Sequence, residues 1–226
     1  MRVLIAGQRS FGADVLALCL RLGHEVVAVA APAEGSGPGG YDRLRAAAEL
    51  QRVPWIPPGA LRAGAIPEGT DLILAAHSHE YLGRQTRLRA RLGALGYHPS
   101  LLPLHRGRDA VRWTVHMGER VAGGTVFWLS ENVDAGPVAA QDWCFVRRED
   151  DARTLWRREL RPMGVRLFER VLRHVAAGRV VAVPQDEALA TWEPAWERAP
   201  LPRPELLMIG RGTPVITDAG ALRGSD

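Results

Sequence analysis

The feature that most constrains this chain is the alternation of short apolar runs with segments of helical character over its first hundred residues. Three runs are short enough to be buried strands, and three further segments are predicted helices. The strands are predicted at residues 2–6, 24–30 and 71–76, and the helices at residues 11–22, 41–51 and 83–92. Because alternating strands and helices build a parallel sheet with helices on both faces, the sequence predicts an α/β fold.

The pattern changes in the second half of the chain. Residues 123–129 and 136–146 are rich in β-forming residues and lie close together, which predicts a mixed or antiparallel extension of the sheet. Asp150 or Asp151 is expected to cap a long final helix, in which Pro162 predicts a kink or a break.

The Pro-rich stretch that follows predicts a two-part organisation of the chain. We expect one domain over residues 1–183 and a short C-terminal extension over residues 184–226 that packs over it.

Composition excludes several classes of function. All 29 basic residues are arginine, and they form no long block. The net charge is only +4. No apolar run is long enough to cross a bilayer, and the N-terminus enters a strand directly instead of a signal peptide's apolar region. We therefore expect a cytoplasmic protein without a membrane or nucleic-acid partner, and we leave its oligomeric state open. The absence of lysine excludes Schiff-base catalysis by a lysine of this chain.

Two histidines follow the third predicted strand, at the edge where open α/β sheets build ligand sites. His77 and His79 have a spacing that could hold a metal, but no third ligand is evident. Cys19 and Cys144 also lack a partner at metal-ligand spacing. We expect no metal, and we interpret His77, His79 and Glu80 as the polar wall of a substrate pocket.

The residues best suited to catalysis lie in two motifs. They are Tyr97-His98-Pro99-Ser100-Leu101-Leu102-Pro103 and Asn132-Val133-Asp134-Ala135-Gly136. Prolines on both sides of the loop after His98 restrict its backbone, which suits the positioning of an imidazole for proton transfer. Asp134 could orient that ring. Each residue also has the alternative of an ordinary turn hydrogen bond, and the sequence does not show that the two meet.

These motifs, with Arg106-Gly107, Phe127-Trp128 and Pro184-Gln185-Asp186-Glu187, resemble the 10-formyltetrahydrofolate-dependent formyltransferases and hydrolases. The likeness spans roughly residues 1–195 and is strongest to the hydrolase domain of 10-formyltetrahydrofolate dehydrogenase. It implies a Rossmann-like formyltransferase fold and 10-formyltetrahydrofolate as the co-substrate.

The same resemblance implies roles for individual residues. His98 would stabilise the oxyanion or move a proton, and Asp134 would orient His98 and help to deprotonate the nucleophile. Five further residues would contact the folate: Ser100, Leu101 and Leu102 would shape the formyl site, while Asn132 and Val133 would line the pterin pocket.

The chain departs from the family pattern at position 96. Most of the family has an asparagine two residues before the histidine, where this chain has Gly96, so one oxyanion donor worth about 2.7–4 kcal/mol in other enzymes is missing. The hydrolase domain of the dehydrogenase also lacks it.

The resemblance leaves three functions open. The leading hypothesis is formyl transfer to the amine of a small molecule, since the short C-terminus counts against a tRNA substrate. The alternatives are a hydrolase that releases formate and a folate-binding protein without catalysis.

Overall fold

The structure, a computed structural model, describes residues 1–196 and contains a seven-stranded sheet in the order β3-β2-β1-β4-β5-β6-β7. The strands are β1 (Arg2–Gly7), β2 (Glu25–Ala30), β3 (Trp55–Ile56), β4 (Leu72–Ala76), β5 (Ala94–His98), β6 (Val121–Trp128) and β7 (Val138–Phe145). Strands β1 to β5 are parallel to one another, whereas β6 is antiparallel to β5 and β7 is antiparallel to β6. The predicted mixed extension is therefore confirmed, as is the α/β fold class.

Within residues 1–196, six α-helices accompany the sheet. They are α1 (Arg9–Arg21), α2 (Arg43–Leu50), α3 (Arg84–Arg87), α4 (Ala110–His116), α5 (Ala152–Leu155) and α6 (Arg161–Ala176). Alternate residues of β1 face opposite sides of the sheet. Val3 and Ile5 pack in the cluster that includes α1 and α6, whereas Leu4 packs with shorter segments around Leu61 and Leu82 on the other face.

The predicted helix at residues 83–92 differs from the structure, in which α3 has only four residues. The amides of Arg91 and Leu92 donate to the carbonyls of Thr70 and Asp71 instead of continuing a helix. Tertiary hydrogen bonds at the entry to β4 therefore override the local helical preference.

The final helix begins at a cap formed by Asp151. Its carboxylate accepts from the Thr154 amide at 2.6 Å, and the Thr154 hydroxyl accepts from the Asp151 amide at 2.8 Å. A π-helical turn (Trp156–Leu160) separates α5 from α6, and Pro162 lies in the first turn of α6. Because proline cannot donate to the preceding turn, the interruption predicted from Pro162 is found just before it.

Residues 184–196 lie against the loop that follows β5. The Thr191 amide donates to the Pro103 carbonyl at 3.2 Å, and the Arg106 amide donates to the Thr191 carbonyl at 3.0 Å. The remainder of the predicted extension, residues 197–226, lies outside the described residues, so the domain boundary at 183 stays a prediction. In the described part of the chain, no helix has the length and apolar character needed to span a membrane.

Candidate active site

His98 is the last residue of β5, and its side chain is nearly buried, with 9% of its surface exposed. Its Nε2 lies 2.6 Å from the backbone carbonyl oxygen of His105. Because a carbonyl oxygen only accepts, Nε2 carries a hydrogen and donates it. In the neutral ring the lone pair therefore resides on Nδ1.

Asp134 lies in the turn between β6 and β7, and the structure brings it to His98. Its Oδ2 is 3.6 Å from His98 Nδ1 and accepts from the Gly107 amide at 2.8 Å. Asp134 has a left-handed backbone with φ of 52°. A Cβ on Gly136 would lie 1.7 Å from the Trp128 carbonyl oxygen, so glycine is required for the turn to close.

The loop after His98 is fixed by buried hydrogen bonds. Thr125 Oγ1 donates to the Ser100 carbonyl at 2.7 Å and accepts from the Leu102 amide at 3.1 Å. The Ser100 hydroxyl donates to the Leu104 carbonyl at 2.5 Å. Leu101 lies against Gly123, where an added Cβ would be 2.4 Å from its Cδ2. The predicted formyl-site residues thus form a rigid loop next to His98.

Asn132 and Val133 belong to the same turn as Asp134, and both are exposed. The Ser130 hydroxyl donates to the Asn132 carbonyl at 3.0 Å, which orders the start of the turn. Their location beside Asp134 is compatible with the predicted contact with a pterin, which stays a prediction.

His77 and His79 follow β4, the neighbour of β5 in the sheet. Their ring centroids are 5.5 Å apart, and the His77 ring is 6.0 Å from that of Trp156. Burial, then the repulsion that a protonated His79 would exert and the positive charge of Arg9, lower the pKa of His77 to about 4. Burial and the charges of Arg108 and Arg9 also lower the pKa of His79. Both rings are therefore neutral at pH 7 in an electropositive setting.

Glu80, the third predicted substrate residue, binds a backbone amide of a neighbouring loop. Its Oε1 accepts from the Gly59 amide at 3.1 Å. Among residues 1–196 no group of three or more His, Cys, Asp or Glu side chains could hold a metal ion.

The position of the missing asparagine is filled by neighbouring side chains. A Cβ on Gly96 would lie 2.8 Å from Leu129 Cδ2 and 3.2 Å from Phe127 Cε1. Apolar side chains therefore occupy the place that an asparagine side chain would take at position 96.

Sequence reasoning assigned no role to His105, which lies between two carboxylates. Its Nε2 is 2.9 Å from Glu119 Oε1, and its Nδ1 is 3.0 Å from Glu193 Oε2. Burial opposes the charged ring, but the two carboxylates outweigh it and raise the pKa of His105 to about 9.

The side-chain hydrogen bonds between Arg106 and Gln185 were also not predicted from the sequence. The buried Arg106 guanidinium donates to Gln185 Oε1 and to both carboxylate oxygens of Glu187. Both residues belong to motifs that carry the family resemblance, but neither motif indicates that their side chains meet.

The chain is similar to several known proteins. A family model described as formyl transferase matches residues 60–172. Cytosolic 10-formyltetrahydrofolate dehydrogenase of Mus musculus is 31% identical over 236 aligned residues, which cover 100% of this chain and 25% of the dehydrogenase. The chain thus spans about a quarter of the length of the dehydrogenases that it matches.

Two further relatives have other names. Methionyl-tRNA formyltransferase of Chloroflexus aurantiacus is 33% identical over 203 residues, which cover 84% of this chain and 64% of that protein. The crystal structure of glycinamide ribonucleotide transformylase 1 from Symbiobacterium toebii matches with a TM-score of 0.64 and 25% identity. That match covers 80% of this chain and 92% of the transformylase.

Proposed function

The chain belongs to the formyl transferase family, and we propose that it transfers a formyl group from 10-formyltetrahydrofolate to the amine of a small molecule. The name of the matched dehydrogenase supports 10-formyltetrahydrofolate as the donor. The name of the matched transformylase supports a small acceptor. The observation that carries the proposal is the 3.6 Å approach of His98 Nδ1 to Asp134 Oδ2. It sets a proton acceptor beside a carboxylate at the carboxyl end of a parallel strand.

The proposed reaction begins when the amine nitrogen attacks the formyl carbon and the carbonyl electron pair moves onto oxygen. Because His105 accepts the Nε2 hydrogen of His98, the Nδ1 lone pair is free to take a proton from the attacking amine. The resulting imidazolium is stabilised by the adjacent Asp134 carboxylate. Collapse of the adduct breaks the bond from carbon to the folate nitrogen, which receives the proton from His98. The products are the formylated amine and tetrahydrofolate.

We assign the folate contacts to the two loops beside this pair. Ser100, Leu101 and Leu102 are rigid enough to confine the formyl group, and the exposed Asn132 and Val133 are accessible to the pterin ring. The amine is assigned to the edge formed by His77, His79 and Glu80.

The charge around that edge supports an acceptor with an anionic group. Arg9 and Arg108 act on the two histidines, which are themselves neutral because their pKa values are lowered. Neutral imidazoles can accept hydrogen bonds from an amine while the arginines attract an anion. We expect His77→Gln/His79→Gln to raise the KM for the amine while the KM for the folate is unchanged. An unchanged KM for the amine would remove these histidines from the acceptor site.

The central experiment measures tetrahydrofolate release from 10-formyltetrahydrofolate with and without a library of small amines. Release that requires an amine supports the transferase. His98→Ala and Asp134→Asn should each lower turnover by about 10²-fold or more without unfolding the protein. His174→Ala and Asp186→Asn serve as matched controls. Near-normal turnover in either active-site variant would contradict the assignment.

Hydrolysis is the second candidate, and the apolar packing around Gly96 favours it. Gly96 supplies no side-chain donor, and Leu129 and Phe127 occupy the space beside it. The family resemblance implies that the hydrolase domain of the dehydrogenase lacks the same donor. Equal tetrahydrofolate release with and without every amine would select the hydrolase. Folate binding without any release would select a binding protein, and formylation of an aminoacyl-tRNA would overturn the small acceptor.

A further inference from the structure

A segment remote from His98 in sequence contacts both loops that hold the candidate catalytic pair. The side-chain amide of Gln185 makes four hydrogen bonds. Its Nε2 donates to the carbonyls of Asp134 at 2.8 Å and Gly136 at 2.7 Å. Its Oε1 accepts from Arg106 Nε at 3.2 Å and from a terminal nitrogen of the same guanidinium at 2.8 Å.

The chemistry of these partners fixes the orientation of the amide. Carbonyl oxygens only accept and a guanidinium only donates, so the reversed amide would lose all four bonds. Gln185 therefore joins the Asp134 turn to Arg106 in one way only. Arg106 is itself held, because its side chain is only 3% exposed and it binds both oxygens of Glu187.

Both ends of this connection act on the catalytic pair. Arg106 directly follows His105, whose carbonyl accepts from His98, and directly precedes Gly107, whose amide donates to Asp134. At the other end, Gln185 binds the carbonyl of Asp134 itself. That residue has a left-handed backbone, a conformation that persists only when its surroundings hold it.

We propose that Gln185 is a positioning residue, which holds the Asp134 carboxylate against His98 by fixing the backbone of its turn to the loop around Arg106. This inference rests on the proposed function of the site. The residue acts through Asp134 and has no assigned contact with either substrate.

The first test replaces the amide. Gln185→Glu keeps the size of the side chain and an acceptor for Arg106, but it presents no donor to the two carbonyls. Gln185→Ala removes both contacts. We expect each variant to lower kcat by about tenfold or more with little change in the KM for either substrate. Asp186→Ala is the matched control, because Asp186 caps only its own turn by accepting from the Ala188 amide.

A double variant separates positioning from general loss of structure. If Gln185 acts through Asp134, Asp134→Asn/Gln185→Ala should be no slower than Asp134→Asn. Additive losses in the double variant, or normal kcat in Gln185→Glu, would overturn the inference.

A readout that needs no turnover keeps this test distinct from that of the function. The ring ¹⁵N and ¹H NMR signals of His98, assigned by their loss in His98→Gln, should shift in Gln185→Ala and not in Asp186→Ala. If the wild-type protein releases no tetrahydrofolate, the proposed function fails while the ring signals still test the positioning. Unmoved His98 signals in Gln185→Ala would refute the positioning even in an active enzyme.

Discussion

The ion cluster around His105 makes the stability of the fold depend on pH. His105 contacts Glu119 at 2.9 Å and Glu193 at 3.0 Å, and only 5% of its side-chain surface is exposed. Glu193 belongs to the C-terminal segment, while His105 belongs to the loop after β5. Protonation of His105 therefore strengthens the attachment of that segment.

The sign and size of the effect follow from the pKa of His105, which the fold raises from 6.5 to about 9. A group with a raised pKa binds its proton more tightly in the folded state. Its stabilisation is complete below about pH 6.5 and is lost as the pH rises through about 9. Each pKa unit is worth about 1.36 kcal/mol, so we expect the free energy of unfolding to fall by about 3 kcal/mol across this range.

Urea denaturation of wild type and His105→Gln between pH 6 and pH 10 measures this effect. The variant should be less stable than wild type at pH 6, and the difference should shrink as the pH rises. Burial raises the pKa of Cys19 to about 12, so its thiol also destabilises the fold above about pH 9, but equally in both proteins. His174→Gln, a substitution outside this ion cluster, is the control for the loss of a histidine. A difference between wild type and His105→Gln that stays constant from pH 6 to pH 10 would refute the reasoning.

Two further substitutions test the packing around the site. Gly96→Asn forces Leu129 to move, since the new Cβ would lie 2.8 Å from its Cδ2. We expect the free energy of unfolding, measured by urea denaturation, to fall by about 1–3 kcal/mol. The double variant Gly96→Asn/Leu129→Ala should recover part of this loss. A fully stable Gly96→Asn would show that Leu129 and Phe127 do not close this position. Tyr97→Phe removes the donor to the Leu160 carbonyl, a buried bond of 2.6 Å, and should cost about 1–3 kcal/mol, whereas the exposed Tyr81→Phe should cost almost nothing. Equal stability of the two variants would mean that this bond does not hold the π-helical turn.

Much of the fold was predictable because its strands are short apolar runs bounded by turns. The predicted strand at residues 71–76 corresponds to β4 (Leu72–Ala76), and the predicted strand at residues 24–30 corresponds to β2 (Glu25–Ala30). The helix predicted at residues 83–92 failed beyond α3 because the amide of Arg91 bonds to a residue more than twenty positions earlier. Local periodicity carries no information about such a partner.

Some residues of the candidate site could likewise be identified from the sequence, whereas others could be identified only from the fold. His98 and Asp134 were identifiable from their motifs, although only the fold shows that they approach within 3.6 Å. Gln185 was not identifiable as a partner of Asp134, which is 51 residues away in sequence. Its hydrogen bonds to the Asp134 turn go to backbone carbonyls, and such contacts leave no pattern in side-chain types.

The geometry of the candidate catalytic pair depends on main-chain groups of one short loop. His98 is oriented by the carbonyl of His105, and Asp134 is oriented by the amide of Gly107, two residues later. A shift of this loop therefore moves both partners at once and changes the distance between Nδ1 and the carboxylate. With glycine at position 96, no side chain from that position steadies the reacting group. The contacts of Gln185 with the Asp134 turn and of Glu193 with His105 add restraints on the pair from the C-terminal segment. This is the physical reason to expect that substitutions of Gln185 and Glu193, unlike those of Asp186, will act on catalysis.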